Sequence, residues 1–376
     1  MIDPKIFFES LNKMGITFYT GVPDSLLKNI CSYITDNVDE NNHIIAANEG
    51  NAIALAAGYH LATGKLPVVY MQNSGLGNAI NPLLSLCDPD VYSIPLLILI
   101  GWRGEPGVPD EPQHIKQGKV QIELLKAIDI PYEIVSKDEY NIDKKIAKCA
   151  QRSIKENRPF AILVKKGTFN IYNKPTAIDD EELTKREKFL EIILKQIPNN
   201  SVIVSTTGKT SREIFDIREK NGSPHFKDFL TVGSMGHCSS IALGIAVAKP
   251  DRKIICIDGD GSLIMHMGSL STIGKLLPKN FYHILINNYA YESVGGQATS
   301  ANCIEITKIA KANGYKYVLS IEDSNALIMQ IENYLNNVGP AFLEIKTKLG
   351  SRENLGRPTI QPIDNKLAFM DYLSNN

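Results

Sequence analysis

The chain has 376 residues and a net charge of -1, with both signs dispersed, so a basic face built for nucleic acid or an anionic membrane is excluded as its organising feature. Its 43% hydrophobic and 22% charged residues are those of an ordinary globular protein long enough for two cored domains. The start, MIDPKIFFESLNKMG, lacks a leader pattern, no run approaches a membrane span, and the six cysteines form no CxxC pair, so a cytoplasmic protein with reduced core thiols is expected.

Residues 1–168 read as a first α/β unit. Asp3-Pro4 opens a helix that Gly15 closes. ITFYTG is a strand, and Val22-Pro23-Asp24-Ser25 starts a second helix with Asp24 or Ser25 as its cap. HIIAAN, LPVVYMQ, PLLILIG and PFAILV continue the strands, with the small-residue helix GNAIALAAGYHLATG between the first two. Alternation of this kind predicts a mostly parallel sheet covered on both faces.

Glu49 opens that small-residue helix. The plain reading is helix-start electrostatics. Its neighbours Ala46, Ala47, Ala52 and Ala54 also predict a closely packed apolar setting, which would raise the carboxyl pKa to a value useful in proton exchange. The loop Asn73–Asn78 follows a strand end, where ligands bind in such sheets, and reads equally as a plain turn. A second loop, 101–118, holds the only Trp, three prolines and four glycines, with Arg103 to grip an oxyanion and His114 to exchange a proton. Taken singly, either residue is more often a surface or structural group.

Residues 169–187 read as a polar linker and 188–376 as a second α/β unit. SVIVSTTG is a strand whose Thr207 and Gly208 offer donors to a diphosphate, or a helix cap. Gly233-Ser234-Met235-Gly236 follows, Met235 being either core or the floor of a ligand site. The stretch Lys253–Gln297 is the most informative. Strand IICI ends at Gly259-Asp260-Gly261-Ser262, where a helix start would meet phosphate and Asp260 would need a divalent cation to sit beside it. A return strand, HILI, ends in Asn287-Asn288, 25 residues (262–286) after the GDG triplet. That spacing suits one crossover helix and puts both tips side by side.

The GDG-to-NN pattern resembles the signature of the thiamine diphosphate-dependent decarboxylase and transketolase superfamily. The resemblance implies two thiamine diphosphate-binding domains, each a mostly parallel sheet flanked by helices. The chain has no room for the third domain that lies between them in most such decarboxylases. It implies Mg²⁺ held by Asp260, Asn288 and the main-chain carbonyl of Ala290. Gly261 and Ser262 join the diphosphate site. Glu49 takes the place of the glutamate that bonds N1′ of the aminopyrimidine. Gly233 and Met235 take the places of the residues that accept from its 4′-amino group and wedge beneath the bent cofactor.

The motifs GVPDSLL, NSGLGN, GWRGEPG with DEPQH, STTG, NNYAYESVGGQ and GSRENLGRP narrow the resemblance. They point to the branch acting on 2-keto acids with an anionic phosphonate or sulfonate head group, 3-phosphonopyruvate in phosphonate biosynthesis or sulfopyruvate. Tyr291-Glu292 departs from that family's pattern. Arg103, Lys116, Arg352 and Arg357 are the candidates for the head group, and His114 or Asp24 for returning a proton after CO₂ leaves. A homodimer or larger assembly is implied, since relatives complete each site with domains of two subunits. A ketoacid oxidoreductase would need a cysteine cluster the sequence lacks.

Overall fold

The computed structural model describes residues 1–172 and 184–375. It divides into two compact units, 1–176 with 293–297 and 177–292 with 298–376. Residues 173–183 of the expected linker lie outside the described residues, and its last two residues already belong to a helix, Arg186–Gln196.

The first unit is a six-stranded sheet made of β1 (Tyr19–Gly21), β2 (His43–Ile45), β3 (Val68–Gln72), β4 (Leu97–Gly101), β5 (Tyr132–Val135) and β6 (Phe160–Val164). Its order is β2-β1-β3-β4-β6-β5, every pairing parallel. Alternate side chains enter two separate cores: Val68, Tyr70, Leu97 and Leu99 join one, Val69, Met71, Ile98 and Ile100 the other. A strand buried on both faces must read as a continuous apolar run, which is why VVYM and LILI look as they do.

The second unit repeats the plan with β7 (Val202–Ser205), β8 (Asp228–Leu230), β9 (Ile254–Gly259), β10 (Phe281–Asn287), β11 (Tyr317–Ile321) and β12 (Ala341–Lys346). The order β8-β7-β9-β10-β12-β11 is the first sheet's order counted from β7, again all parallel. One face packs Ile203, Ile255, Ile257, Ile284, Ile286 and Leu343.

Several local expectations are corrected. Sequence reading missed β5, β8 and β11. Asp24 does not open a helix: its carboxylate accepts from the Leu26 and Leu27 N–H groups ahead of a helix that begins at Lys28. The stretch 73–78 is helical from Asn73 rather than a loop. The run after GDGS breaks at His266 into two helices, Asp260–Met265 and Ser269–Leu276. Among the described residues no cysteine is paired in a disulfide; five are buried, but Cys303 is exposed and is no core thiol. No described helix is long and apolar enough to cross a membrane.

Candidate active site

The carboxyl ends of adjacent strands gather the predicted residues of each unit, where open parallel sheets place their ligands. In the first unit Glu49 is the first residue of the helix Glu49–Thr63, with Asn48 as N-cap accepting from the Asn51 N–H. Glu49 is 5% exposed, and Asn78 donates its amide to Glu49 Oε2 at 2.8 Å. Gly75 lies flat against this carboxyl: a Cβ there would sit 2.3 Å from Glu49 Oε1. The 73–78 segment therefore builds the wall behind Glu49, supplying a donor and a residue with no side chain.

Asp24 lies beyond the tip of β1, fully buried, and burial pushes its carboxyl up to about 6. Its Oδ1 accepts no hydrogen bond among the described residues. Arg103, beyond β4, sends Nε at 2.8 Å and also Nη2 to Asp110, and Nη1 to Ser25 Oγ at 2.8 Å. Asn73 clamps the Arg103 main chain, accepting from its N–H at 3.1 Å and donating to its carbonyl at 2.8 Å. Burial alone would raise Asp110, but Arg103 and the N–H groups of Glu111 and Gly104 outweigh it and hold it well below the usual carboxylate range. Arg103 thus spends much of its fork on the protein itself. His114 is buried in the first turn of the helix Pro112–Ala127, not on a loop. Lys116, on the same helix, is exposed.

In the second unit Asp260 begins its helix at the tip of β9, 3% exposed, and Thr299 donates to Asp260 Oδ2 at 2.5 Å. Burial raises its carboxyl to about 6. Asn288 follows the neighbouring β10, its Oδ1 accepting from the Ala290 N–H at 3.2 Å. A desolvated carboxylate beside a carboxamide oxygen is a hard-oxygen donor set of the kind that suits Mg²⁺. Gly261 admits no side chain, since a Cβ there would meet the Tyr291 ring at 2.6 Å and Met235 Cε at 3.4 Å. Met235 is half-buried rather than a core methionine, and its Gly233–Gly236 turn is tied to GDGS by the Gly236 N–H donating to Ser262 Oγ at 3.1 Å. Thr207 and Gly208 lead from β7 into the helix Lys209–Lys220. The residues therefore fit a metal-tethered diphosphate at this edge.

Sequence reasoning missed the network behind that edge. Glu292, the departure after the asparagine pair, accepts from Arg186 Nη1 at 2.7 Å, Lys209 Nζ at 3.0 Å, Asn288 Nδ2 at 3.0 Å and the Gly350 N–H at 3.1 Å. Burial pulls Glu292 up, but Arg186 and Lys209 outweigh it and hold the carboxyl below its ordinary value. Arg186 also forks onto buried Glu213. Arg352 is bound to Glu187 and Asp216. That internal pairing, rather than solvent, accounts for one of the arginines offered for the substrate.

Two family models divide the chain as the sheets do. The N-terminal TPP binding domain of thiamine pyrophosphate enzymes matches residues 4–125, and the C-terminal TPP binding domain matches 206–345. The phosphonopyruvate decarboxylase of Streptomyces viridochromogenes is 30% identical over 404 residues, covering 100% of this chain and 96% of that protein. The phosphonopyruvate decarboxylase of Streptomyces hygroscopicus is 31% identical over 99% of this chain and 94% of its own length. The sulfopyruvate decarboxylase subunit beta of Methanococcus maripaludis is 33% identical over 51% of this chain and 98% of its own. The chain belongs to the thiamine pyrophosphate enzymes, within the family of the phosphonopyruvate decarboxylases. It is a carboxy-lyase acting on a 2-keto acid, and thiamine diphosphate is its cofactor.

Proposed function

We propose that the chain decarboxylates 3-phosphonopyruvate to phosphonoacetaldehyde and CO₂, as a cytoplasmic, Mg²⁺-dependent step of phosphonate biosynthesis. The observation that carries this reading is the near end-to-end similarity to two phosphonopyruvate decarboxylases, joined to a carboxylate at a strand tip in each unit. When bound, thiamine diphosphate supplies the carbon nucleophile and the electron sink that a 2-keto acid needs to lose CO₂. The protein must hold it, exchange its protons and exclude water.

Asp260, Asn288 and the Ala290 carbonyl would hold Mg²⁺, with Thr207, Gly208, Gly261 and Ser262 around the diphosphate. Met235 and Gly233 would support the rings. Glu49 moves a proton at N1′, its buried setting and the Asn78 amide beside it supporting that role. Asp24 or His114 is the proton donor to the product carbon; a carboxyl near 6 is poised to give and take a proton at neutral pH. Arg103 contributes positive charge to the head group through the donors it keeps beyond Asp110 and Ser25. A homodimer or larger assembly is the arrangement this reading takes for a cofactor whose residues are divided between the two units. It is supported by exposed apolar side chains on the helices Glu49–Thr63 (Leu55, Leu61) and Cys238–Ala248 (Val247).

The test is CO₂ release from phosphonopyruvate, sulfopyruvate and pyruvate with thiamine diphosphate and Mg²⁺. The highest kcat/KM should belong to phosphonopyruvate. A higher value for sulfopyruvate, the substrate class in the name of the Methanococcus maripaludis relative, would replace this reading.

A further inference from the structure

Behind the tips of β9 and β10 lies a cluster that the decarboxylation does not use. Cys256 and Asp258 alternate along β9 and so share one face, and His283 is the register partner of Cys256 on β10. One donor atom from each of the three lies within 4.8 Å of the others, and all three residues are buried. Cys238, the first residue of the helix Cys238–Ala248, brings its Sγ to 3.5 Å from Cys256 Sγ. Asp258 Oδ2 and His283 Nε2 stand 3.5 Å apart, yet neither has a hydrogen-bond partner among the described residues.

Two fully buried polar atoms that face each other this closely are costly unless a proton or a cation lies between them. A tetrahedral zinc ion with bonds of about 2.05 Å to nitrogen or oxygen separates a nitrogen from an oxygen by about 3.4 Å. The observed Asp258–His283 separation of 3.5 Å is close to the nitrogen–oxygen edge. The outer contacts are also in place: Tyr315 Oη is 3.0 Å from His283 Nδ1, and the Gly259 N–H donates to Asp258 Oδ1 at 2.9 Å. Such contacts fix ring orientation and leave the remaining atoms to the metal.

We propose that Cys256, His283 and Asp258 bind one soft divalent cation, zinc by preference, as a structural site distinct from the Mg²⁺ position at Asp260. Binding releases the Cys256 thiol proton to solvent, and the resulting thiolate, the neutral imidazole and the carboxylate supply three ligands whose two negative charges balance the ion. Because every ligand is buried, the ion enters while the chain folds and then clamps β9 and β10 together. This site stands independently of the substrate assignment.

The experiment is elemental analysis of the full-length protein expressed with zinc and purified without chelator. About one zinc per chain is expected, retained through dialysis against a mild chelator and released by a thiol-modifying mercurial. The Cys256→Ser variant should lose it. Wild-type protein refolded with Co²⁺ provides a second reading that does not depend on the variant folding, and should show a thiolate-to-cobalt charge-transfer band. Zinc below about a tenth of an equivalent with no such band would overturn the proposal. A Cys238–Cys256 disulfide in the purified protein would overturn it equally.

Discussion

Asn288 donates its side-chain amide to Glu292 at 3.0 Å, and the same carboxylate is gripped by Arg186 and Lys209. The residue four positions after the proposed metal ligand therefore decides which way that ligand's carboxamide faces. With Nδ2 committed to Glu292, Oδ1 is the atom left to the loop at Ala290, where a cation would sit. Glu292→Gln removes the charge that holds Arg186 and Lys209 and loosens Asn288. We expect the Mg²⁺ concentration needed for half-maximal cofactor binding to rise on the order of 10- to 100-fold, read from Mg²⁺ titrations of thiamine diphosphate fluorescence quenching. An unchanged titration would show that Asn288 is oriented without Glu292.

Glu49→Gln retains shape and the contact with Asn78 but cannot carry a proton. Turnover should fall on the order of 10²- to 10⁴-fold, the usual worth of a positioned general acid–base. Cofactor affinity, measured by calorimetry with Mg²⁺, should stay within a few-fold of wild type. Near-normal turnover would remove Glu49 from the mechanism.

What the sequence made legible depends on how local each signal is. GDG, NN and the Glu49 helix announce themselves because a strand, its tip and the helix after it are contiguous in the chain. β5, β8 and β11 are only three to five residues long, and β5 and β11 are largely half-buried, so their apolar runs are diluted. The Glu292 hub was invisible for another reason. Its partners Arg186, Lys209 and Gly350 lie 106, 83 and 58 residues away, a separation no motif records. Arg103 misled in the opposite sense: its exposed-looking loop composition concealed a neighbour, Asp110, that occupies its fork.

Gly75→Ala isolates the packing behind Glu49. The added methyl would stand 2.3 Å from Glu49 Oε1 and 2.5 Å from its Cδ, so the carboxyl must move. A displacement near 1 Å of a catalytic group costs on the order of 10²-fold in rate. We expect that loss in kcat, with the melting temperature within a few degrees of wild type. Wild-type turnover would mean that the 73–78 segment yields instead.

Asp24 supplies a stability signature that does not depend on turnover. Burial lifts its folded-state pKa to about 6 from 3.8, so the folded chain holds this proton more tightly than the unfolded chain does. The stabilisation is fully present below the unfolded value and is lost as pH rises through the folded one; above it the buried charge is a cost of about 3 kcal/mol. Asp24→Asn keeps an oxygen for the Leu26 and Leu27 N–H groups and removes the charge. Melting curves from about pH 4 to about pH 8 should therefore show the variant gaining on wild type as pH rises, with most of the gain complete just above the folded pKa. A pH-independent difference between the two would mean that the Asp24 carboxyl titrates in the folded chain as it does in the unfolded one.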